Sequence, residues 1–438
     1  MTWKRTQELD KMKWIKKYVS KSTRQKDLDE QRLFKSFAFV VLLGQVFGIM
    51  PLSDACGPHE HCIYFKWKSW KVLYTLLVVV GSVFCGWSTI YHMANHGSTM
   101  GLVSAVMFYL NSIVVHLLFV SLAKDWAHLM REWSAVDIGM RSYGWPSNLD
   151  ARLKITSVII LSFATSEHLL SAIQNFVRAI NCRNTIAEIF EYFFVNLAYP
   201  QVFSSITYSI GIGVTLQVIT LISTFSWTYI DLFIILISSA LALRFRQVSD
   251  RMESYLQAAV AVREIKPRQP LQLSDIVLWR NLREDYNRLS KLCRILNEHI
   301  SYIVLVSFGS NLFFILVQFF NSLKPIRNTT EMVYFYFSFG FLIGRTICVS
   351  LYGSWIHDES QKFIPLLNSV PSTIYNIEVR RFVLHVGIET ISLTGKKFFN
   401  VTRSIVLSIA GTIVTYELVL IQFYGGQIQK SGNETYGC

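Results

Sequence analysis

Two stretches of this chain carry polar groups inside segments that otherwise read as apolar. The first is GTIVTYELVLIQFYGG, residues 411–426, where Thr415, Tyr416, Glu417 and Gln422 interrupt the last apolar run. At 100° per residue, Ser404, Ser408, Gly411, Thr415 and Gln422 fall within about 60° of one another. The rest of that helix surface is Ile, Val, Leu and Tyr. A narrow small-or-polar stripe has two uses. It lets two helices approach closely, or it faces water in a shared pore, with Val419 and Phe423 beside it as a constriction that closes by dewetting. The second stretch is EHLL, residues 167–170. A carboxylate within a membrane-like segment is costly and usually functional. Glu167 could accept strong charge-assisted hydrogen bonds from a polar ligand, or sit in a buried pair with Arg345 or His168. Both stretches suit hydration and hydrogen bonding, and neither suits bond breaking. The chain has no Gly-rich phosphate loop, no HExxH and no GxSxG, so no enzyme activity is expected. CGPHEHC, residues 56–62, crowds Cys56, His59, His61 and Cys62, but the spacing fits no zinc finger. No metal and no cofactor are expected. Asp231, in WTYIDLF, reads as an anchor for the cytosolic half of its helix.

The elements that must position these groups follow from hydropathy. Of 438 residues, 52% are hydrophobic and only 16% charged, against roughly 25% charged in soluble domains. That composition points to a multi-span membrane protein. Residues 1–32 are polar and basic, so no cleavable signal peptide is read there. Apolar windows of spanning length occur at 71–93, 102–122, 153–177, 207–243, 298–322, 332–356 and 398–424. A weaker window, 33–52, begins near Lys35, contains Gln45 and ends at Pro51.

Lys and Arg arbitrate the orientation. If 33–52 does not cross, successive segments carry 14, 0, 5, 2, 11, 2, 5 and 1 basic residues. This alternation predicts seven crossings, with the N-terminus cytosolic and the C-terminus outside. The net charge of +13 then lies mostly against the cytosolic face, and a nucleic-acid partner is not expected. Residues 1–70 form a cytosolic region with a membrane-associated or re-entrant helix, and 71–243 hold the first four spans. A cytosolic loop and helix occupy 244–297, and 298–356 hold the fifth and sixth spans. A cytosolic helix lies within 357–397, the last span is 398–424, and 425–438 form an external tail. The sequons at Asn328 and Asn433 fall outside, while Asn400 falls at the inner edge. Cys182 and Cys438 are the two cysteines on the oxidising side and are expected to pair. The orientation is inverted relative to G-protein-coupled receptors.

Some helices are longer than a bilayer requires. The window 207–243 would reach roughly 55 Å as a helix, against an apolar layer of about 30 Å. Trp279, Leu282, Tyr286, Leu289, Cys293 and Leu296 recur at helical spacing beyond it. Segment 375–394 is also amphipathic, and Gly395 ends it. These pieces predict a packed helical domain below the membrane. The competing reading is a basic loop held to acidic headgroups.

TYELVLIQF, residues 415–423, resembles the Thr-Tyr…Gln-Phe signature of insect gustatory receptors. SLTGKKFFNVTR at 392–403, EHLL, SWTYIDLF at 226–233, SFGSNLFFI at 307–315 and YFYFSFGFLIGRT at 334–346 are similar to the sugar-sensing, trehalose- and sucrose-type branch of that family. The resemblance extends from about residue 33 to the last helix. It implies an all-α homotetrameric, ligand-gated cation channel in the plasma membrane of sensory neurons, related in fold to the insect odorant co-receptor. Heteromers with other sugar receptors are also compatible with it. Each subunit would have seven helices and a cytosolic anchor domain, with the last helix lining the pore. Thr415 and Ser408 would face the pore, and Val419, Gln422 and Phe423 would form its gate. Glu417 points away from the stripe and reads as an inter-helix partner.

A sugar such as trehalose, sucrose, maltose or a monosaccharide needs hydrogen-bonding groups beside aromatic faces. The resemblance directs attention to the outer halves of the first six helices. Trp87, Tyr109, Asn111, Glu167, His168, Asn311, Gln318 and Tyr336 are the ligand candidates there. A lipid-interface anchor competes for Trp87, and ordinary inter-helix bonding competes for Asn311 and Tyr336. A metabotropic receptor and a sugar transporter remain alternatives. Transporters usually show internal repeats and paired broken helices, and neither is visible in this sequence.

Overall fold

A computed structural model describes residues 35–54, 63–265, 273–323 and 328–424. Among them the chain is almost wholly helical. It starts with α1 (Lys35–Val46) and a two-stranded hairpin, β1 (Leu52–Ser53) against β2 (Tyr64–Phe65). Then come α2 (Trp70–His96), α3 (Met100–Gly139), α4 (Leu149–Cys182), α5 (Ile186–Tyr192) and α6 (Pro200–Phe203). The long α7 (Ile210–Ile265), α8 (Leu273–Ser322) and α9 (Thr329–Gln361) follow. Short α10 (Phe363–Asn368) and α11 (Ile377–Ile388) lead to α12 (Ser404–Tyr424). Side-chain caps fix several starts. Ser69 accepts from Lys71 N, Thr99 from Leu102 N, and Asn376 from Glu378 N and Val379 N.

Six helices, α2, α3, α4, α7, α8 and α9, are long and apolar enough to cross a membrane. α7 is the axis. Its middle is apolar on nearly every side, the pattern of a buried helix, and Tyr229 to Leu243 are buried almost without a break. Its 56 residues reach roughly 84 Å, so it runs well past an apolar layer of about 30 Å. α8 and α3 overshoot in the same way, and the overshooting parts pack together. Trp126, Met130 and Trp133 of α3 join Phe245, Val248 and Met252 of α7 in one core. All six residues of the α8 stripe, Trp279 to Leu296, are buried in that core as well. Burial pushes the Cys293 thiol up to about 12, so it packs as a neutral apolar group. At the rim Glu378 of α11 takes Arg283 at 2.9 Å and Arg381 at 3.0 Å.

α1 is too short to cross. Twelve residues rise roughly 18 Å. The helix starts with Ser36 against Asp150 and Phe37 against Trp133, then reverses at Gly48, where φ is 71°. The reversal is tied down on both sides. His116 meets Phe47 O at 3.2 Å, Thr75 donates to Gly48 O at 2.6 Å, and Gln45 donates to Leu52 O at 2.9 Å. α1 and β1 thus double back against α2 and α3.

The amphipathic segment 375–394 is helical only over α11. From Glu389 the chain is extended, burying Ile391 and Leu393. It then turns tightly over 394–400 through left-handed Lys396 and Lys397. Asn297 of α8 holds this turn, accepting from Thr394 N at 2.8 Å and donating to Thr394 Oγ1 at 2.9 Å.

The projecting core carries a direct test. Trp279→Ala should cost about 3–5 kcal/mol and lower the thermal midpoint of the detergent-solubilised protein, while Trp279→Phe should retain most of it. An Ala variant as stable as wild type would contradict the packed layer.

Candidate ligand cavity

A cavity of about 400 Å³ lies among α3, α4, α7, α8, α9 and the α5–α6 segment. Each wall contributes a different chemistry. From α4 come Glu167, His168, Ser171 and Asn175. Ser338 of α9 donates to Glu167 Oε1 at 2.5 Å, and Gln318 of α8 backs Ser338 at 3.5 Å. The opposite wall is α7, with Gln217, Thr220, Thr224 and Trp227. Their spacing of three, four and three residues keeps them on one helix face. The Tyr199 hydroxyl lies 2.9 Å from Gln217 Oε1 and 3.1 Å from Thr220 Oγ1, and Tyr109 of α3 reaches the same threonine at 3.2 Å. Aromatic faces fill the gaps: Phe108, Phe193, Trp227, Phe314, Tyr334 and Phe341.

At one end of the cavity sits the Arg345 guanidinium, stacked 4.3 Å over the Trp227 ring and 5.5 Å from Phe341. Its charge is met on the far side by Asp231 at 2.9 Å, and both side chains are buried. Asp231 thus anchors three helices at once, where the sequence suggested an anchor for the cytosolic half of one helix. Arg345 pairs with Asp231, and Glu167 is met instead by the Ser338 hydroxyl.

Another wall of the cavity is irregular. Residues Phe193–Ala198 coil as a π-helical turn, a feature frequent at functional sites. Tyr199 follows it, and Gly213 of α7 lets the Phe194 ring approach closely.

Four of the eight ligand candidates line this cavity: Tyr109, Glu167, His168 and Gln318. The other four do not. Asn311 is wholly buried beside the cavity, its amide spent on Trp227, Arg345 and Asp231. Asn111 lines a separate, nearly apolar groove between α3 and α8. Trp87 and Tyr336 point outward, 69% and 62% exposed, because an apolar helix can turn an aromatic to lipid as readily as inward. The α7 wall and Tyr199 had not been anticipated. The α7 wall was visible in principle as the 217, 220, 224, 227 stripe.

α12 stands at the edge of the bundle and touches α8 and α9. Ser404, Ser408, Gly411, Thr415 and Gln422 are all exposed, and Val419 is 40% exposed. Ser408 and Thr415 satisfy their hydroxyls on the carbonyls four residues back, at 3.2 and 2.8 Å. The side chains of Glu417 and Phe423 lie outside the described set. Asn328 is exposed as the N-cap of α9, and Arg178 joins the end of α4 to Glu331 there at 3.1 Å. Cys182, at the end of α4, is disulfide-bonded. Its expected partner Cys438, the sequon at Asn433 and the Cys/His crowd at 56–62 lie outside the described residues.

The sequence profile described as "Trehalose receptor" matches residues 15–432. The gustatory receptor for sugar taste 64f of Drosophila melanogaster is 32% identical over 411 residues, 93% of this chain and 84% of that protein. The gustatory receptor 5a for trehalose of the same fly is 30% identical over 413 residues, 94% and 89% of the two chains. The fold is that of the insect olfactory receptor OR5 from Machilis hrabei. That structure superposes with a TM-score of 0.63 at 15% identity, over 90% of this chain and 100% of that one. Its complex with eugenol gives 0.59 at 12% identity, over 91% and 99%.

The close approach at Gly213 can be tested. A Cβ there would lie 2.7 Å from the Phe194 ring. Gly213→Val should push the π-helical turn off α7, and amide exchange across 193–199 should rise about tenfold or more. Unchanged protection would contradict this placement of the wall.

Proposed function

The chain belongs to the trehalose receptor family of sugar gustatory receptors, and from that membership we propose that it is a sugar-gated, nonselective cation channel. The observation that carries the reading is the cavity lining. It sets hydroxyls, amides and one carboxylate among aromatic faces, the combination that holds a polyol. Its volume falls in the range of small-ligand sites, roughly 300–1,000 Å³. A mono- or disaccharide such as trehalose, sucrose or maltose would stack on Trp227 or Tyr334. Two of its hydroxyls would donate to Glu167, displacing the Ser338 hydroxyl or adding to it, and Gln217, Thr220 and Gln318 would complete the shell.

In this reading the six long helices and α12 make seven crossings, with the N-terminus and the projecting core cytosolic and the C-terminus outside. The 21 residues of α12 rise roughly 31 Å, enough to span. Four copies would close a pore in the plasma membrane of a sensory cell, each giving α12 with its Ser404, Ser408, Gly411, Thr415 and Gln422 stripe toward water. Other sugar-receptor subunits could replace some copies. Val419, Gln422 and Phe423 would form the constriction. The placement of α12 at the edge of the bundle supports this arrangement, as does its contact with α8, a wall of the cavity. Cys182 would pair with Cys438, tying the tail to the outer end of α4. Sugar can open such a pore only by the difference in its affinity for open and closed states.

Whole-cell recording from cells expressing this chain tests the reading. A panel of sugars should evoke a cation current that persists when G-protein signalling is blocked. Glu167→Gln should raise the half-maximal sugar concentration about tenfold or more, the worth of a hydrogen bond to a charged group. A current that vanishes on G-protein block would instead indicate a metabotropic receptor. Phe423→Ala should conduct without sugar, and a variant that stays closed until sugar is added would remove Phe423 from the gate.

A further inference from the structure

We propose that the buried Asp231–Arg345 pair, with Asn311 and Ser307, is the joint through which an occupied cavity moves α8 and α9 and, through them, α12. The proposal rests on the sugar-channel reading above.

The joint occupies three helices. Asp231 on α7 takes Arg345 of α9 at 2.9 Å, the Asn311 amide of α8 at 3.0 Å and the Ser307 hydroxyl of α8. Arg345 donates to Thr228 at 3.0 Å and to Asn311 Oδ1 at 3.3 Å, and Trp227 Nε1 donates to that same oxygen at 3.2 Å. A planar guanidinium holds such a set in one geometry. Its face, stacked with Trp227, belongs to the cavity wall. Its edge is the helix joint. A ligand pressing on that wall cannot shift the guanidinium without changing bonds to α7 and α8 together.

The cost of the pair argues the same way. An apolar core of equal volume would hold three helices together at least as well. Charged groups at membrane depth are retained chiefly for function. A bonded set with few alternative geometries is the kind of two-state element that transmits a bias.

The far side of the joint leads to α12. Phe308, next to Ser307, packs edge-on against Phe399 with centroids 5.4 Å apart. Phe399 lies in the tight turn that launches α12, and Asn297 of α8 fixes the start of that turn. From α9, Gly353 lets Val401 approach closely, and Asp358 takes Arg403 at 2.7 Å. Both helices that the pair joins to α7 also pack against α12.

Ser307 and Asn311 do not line the cavity, so they separate coupling from binding. Ser307→Ala and Asn311→Leu would be compared with the cavity variant Thr224→Val on two readouts. One is current at saturating sucrose or trehalose. The other is protection of the purified full chain from thermal unfolding as the same sugar is titrated. The two α8 variants should lose about tenfold in saturating current, while the sugar concentration giving half protection stays within about threefold of wild type. Thr224→Val should show the reverse split, weaker protection with saturating current kept. Parallel loss of current and protection in the α8 variants would overturn the proposal, because the network would then only hold the cavity's shape. Unchanged current in both would overturn it as well. A wild-type chain that sugar neither protects nor opens would remove the sugar reading, and this proposal with it.

Discussion

A polar group in the apolar layer of a membrane has no water to turn to, so the protein must supply every partner itself. The architecture of this chain follows from that constraint. The Asp231 carboxylate is answered from two neighbouring helices by a guanidinium, an amide and a hydroxyl. The guanidinium in turn is answered by Thr228, Asn311 and the indole face of Trp227. Because those partners come from α7, α8 and α9, satisfying one charge fixes the relation of three helices. The cavity beside them can be polar without collapsing because its lining is cross-linked in the same way, through Tyr199, Gln217, Thr220 and Tyr109 on one wall and Glu167, Ser338 and Gln318 on the other.

The same constraint separates the two ends of the molecule. Where α3, α7 and α8 outrun the apolar layer, their buried faces turn to large aromatics: Trp126, Trp133, Phe245, Trp279 and Tyr286. That layer is a close-packed core, with Glu378 pairing at its rim with Arg283 and Arg381 and a buried pair between Arg244 of α7 and Asp137 of α3. α12 belongs to neither environment within one chain. Its hydroxyls bond back to their own helix, which leaves it equally able to face lipid, a neighbouring subunit or water. In the proposed channel such a helix would take its role from assembly, with its base held by the turn at 394–400 and by α8 and α9.

Much of this was legible in the sequence where one face of a helix differs from the other. The α8 stripe from Trp279 to Leu296 alternates apolar and basic faces, and all six residues are buried. The stripe on α12 is written in small and polar residues. The shortness of α1 follows from Lys35, Gln45 and Pro51. Legibility failed where every face is apolar. Trp87 and Tyr336 sit on helices whose hydropathy does not say which side meets lipid, and both point outward. Asn311 lies one layer behind the cavity, its amide consumed by Arg345 and Asp231, partners distant in sequence. Tyr199 follows an irregular π-helical turn, and no periodicity marks such a position. The end of α11 at Ile388 was missed because Glu389 to Leu393 keep an amphipathic pattern that an extended strand satisfies as well as a helix.

The claim that this cavity is where sugar acts is tested most directly by photolabelling. A disaccharide carrying a photoreactive group would be irradiated with the membrane-embedded protein, and the labelled peptides mapped by mass spectrometry. Label is expected on the α4 peptide holding Glu167 to Asn175 and the α7 peptide holding Gln217 to Trp227, displaced by unlabelled sugar. Competable label confined to the groove beside Asn111, or to segments outside the helical bundle, would contradict it.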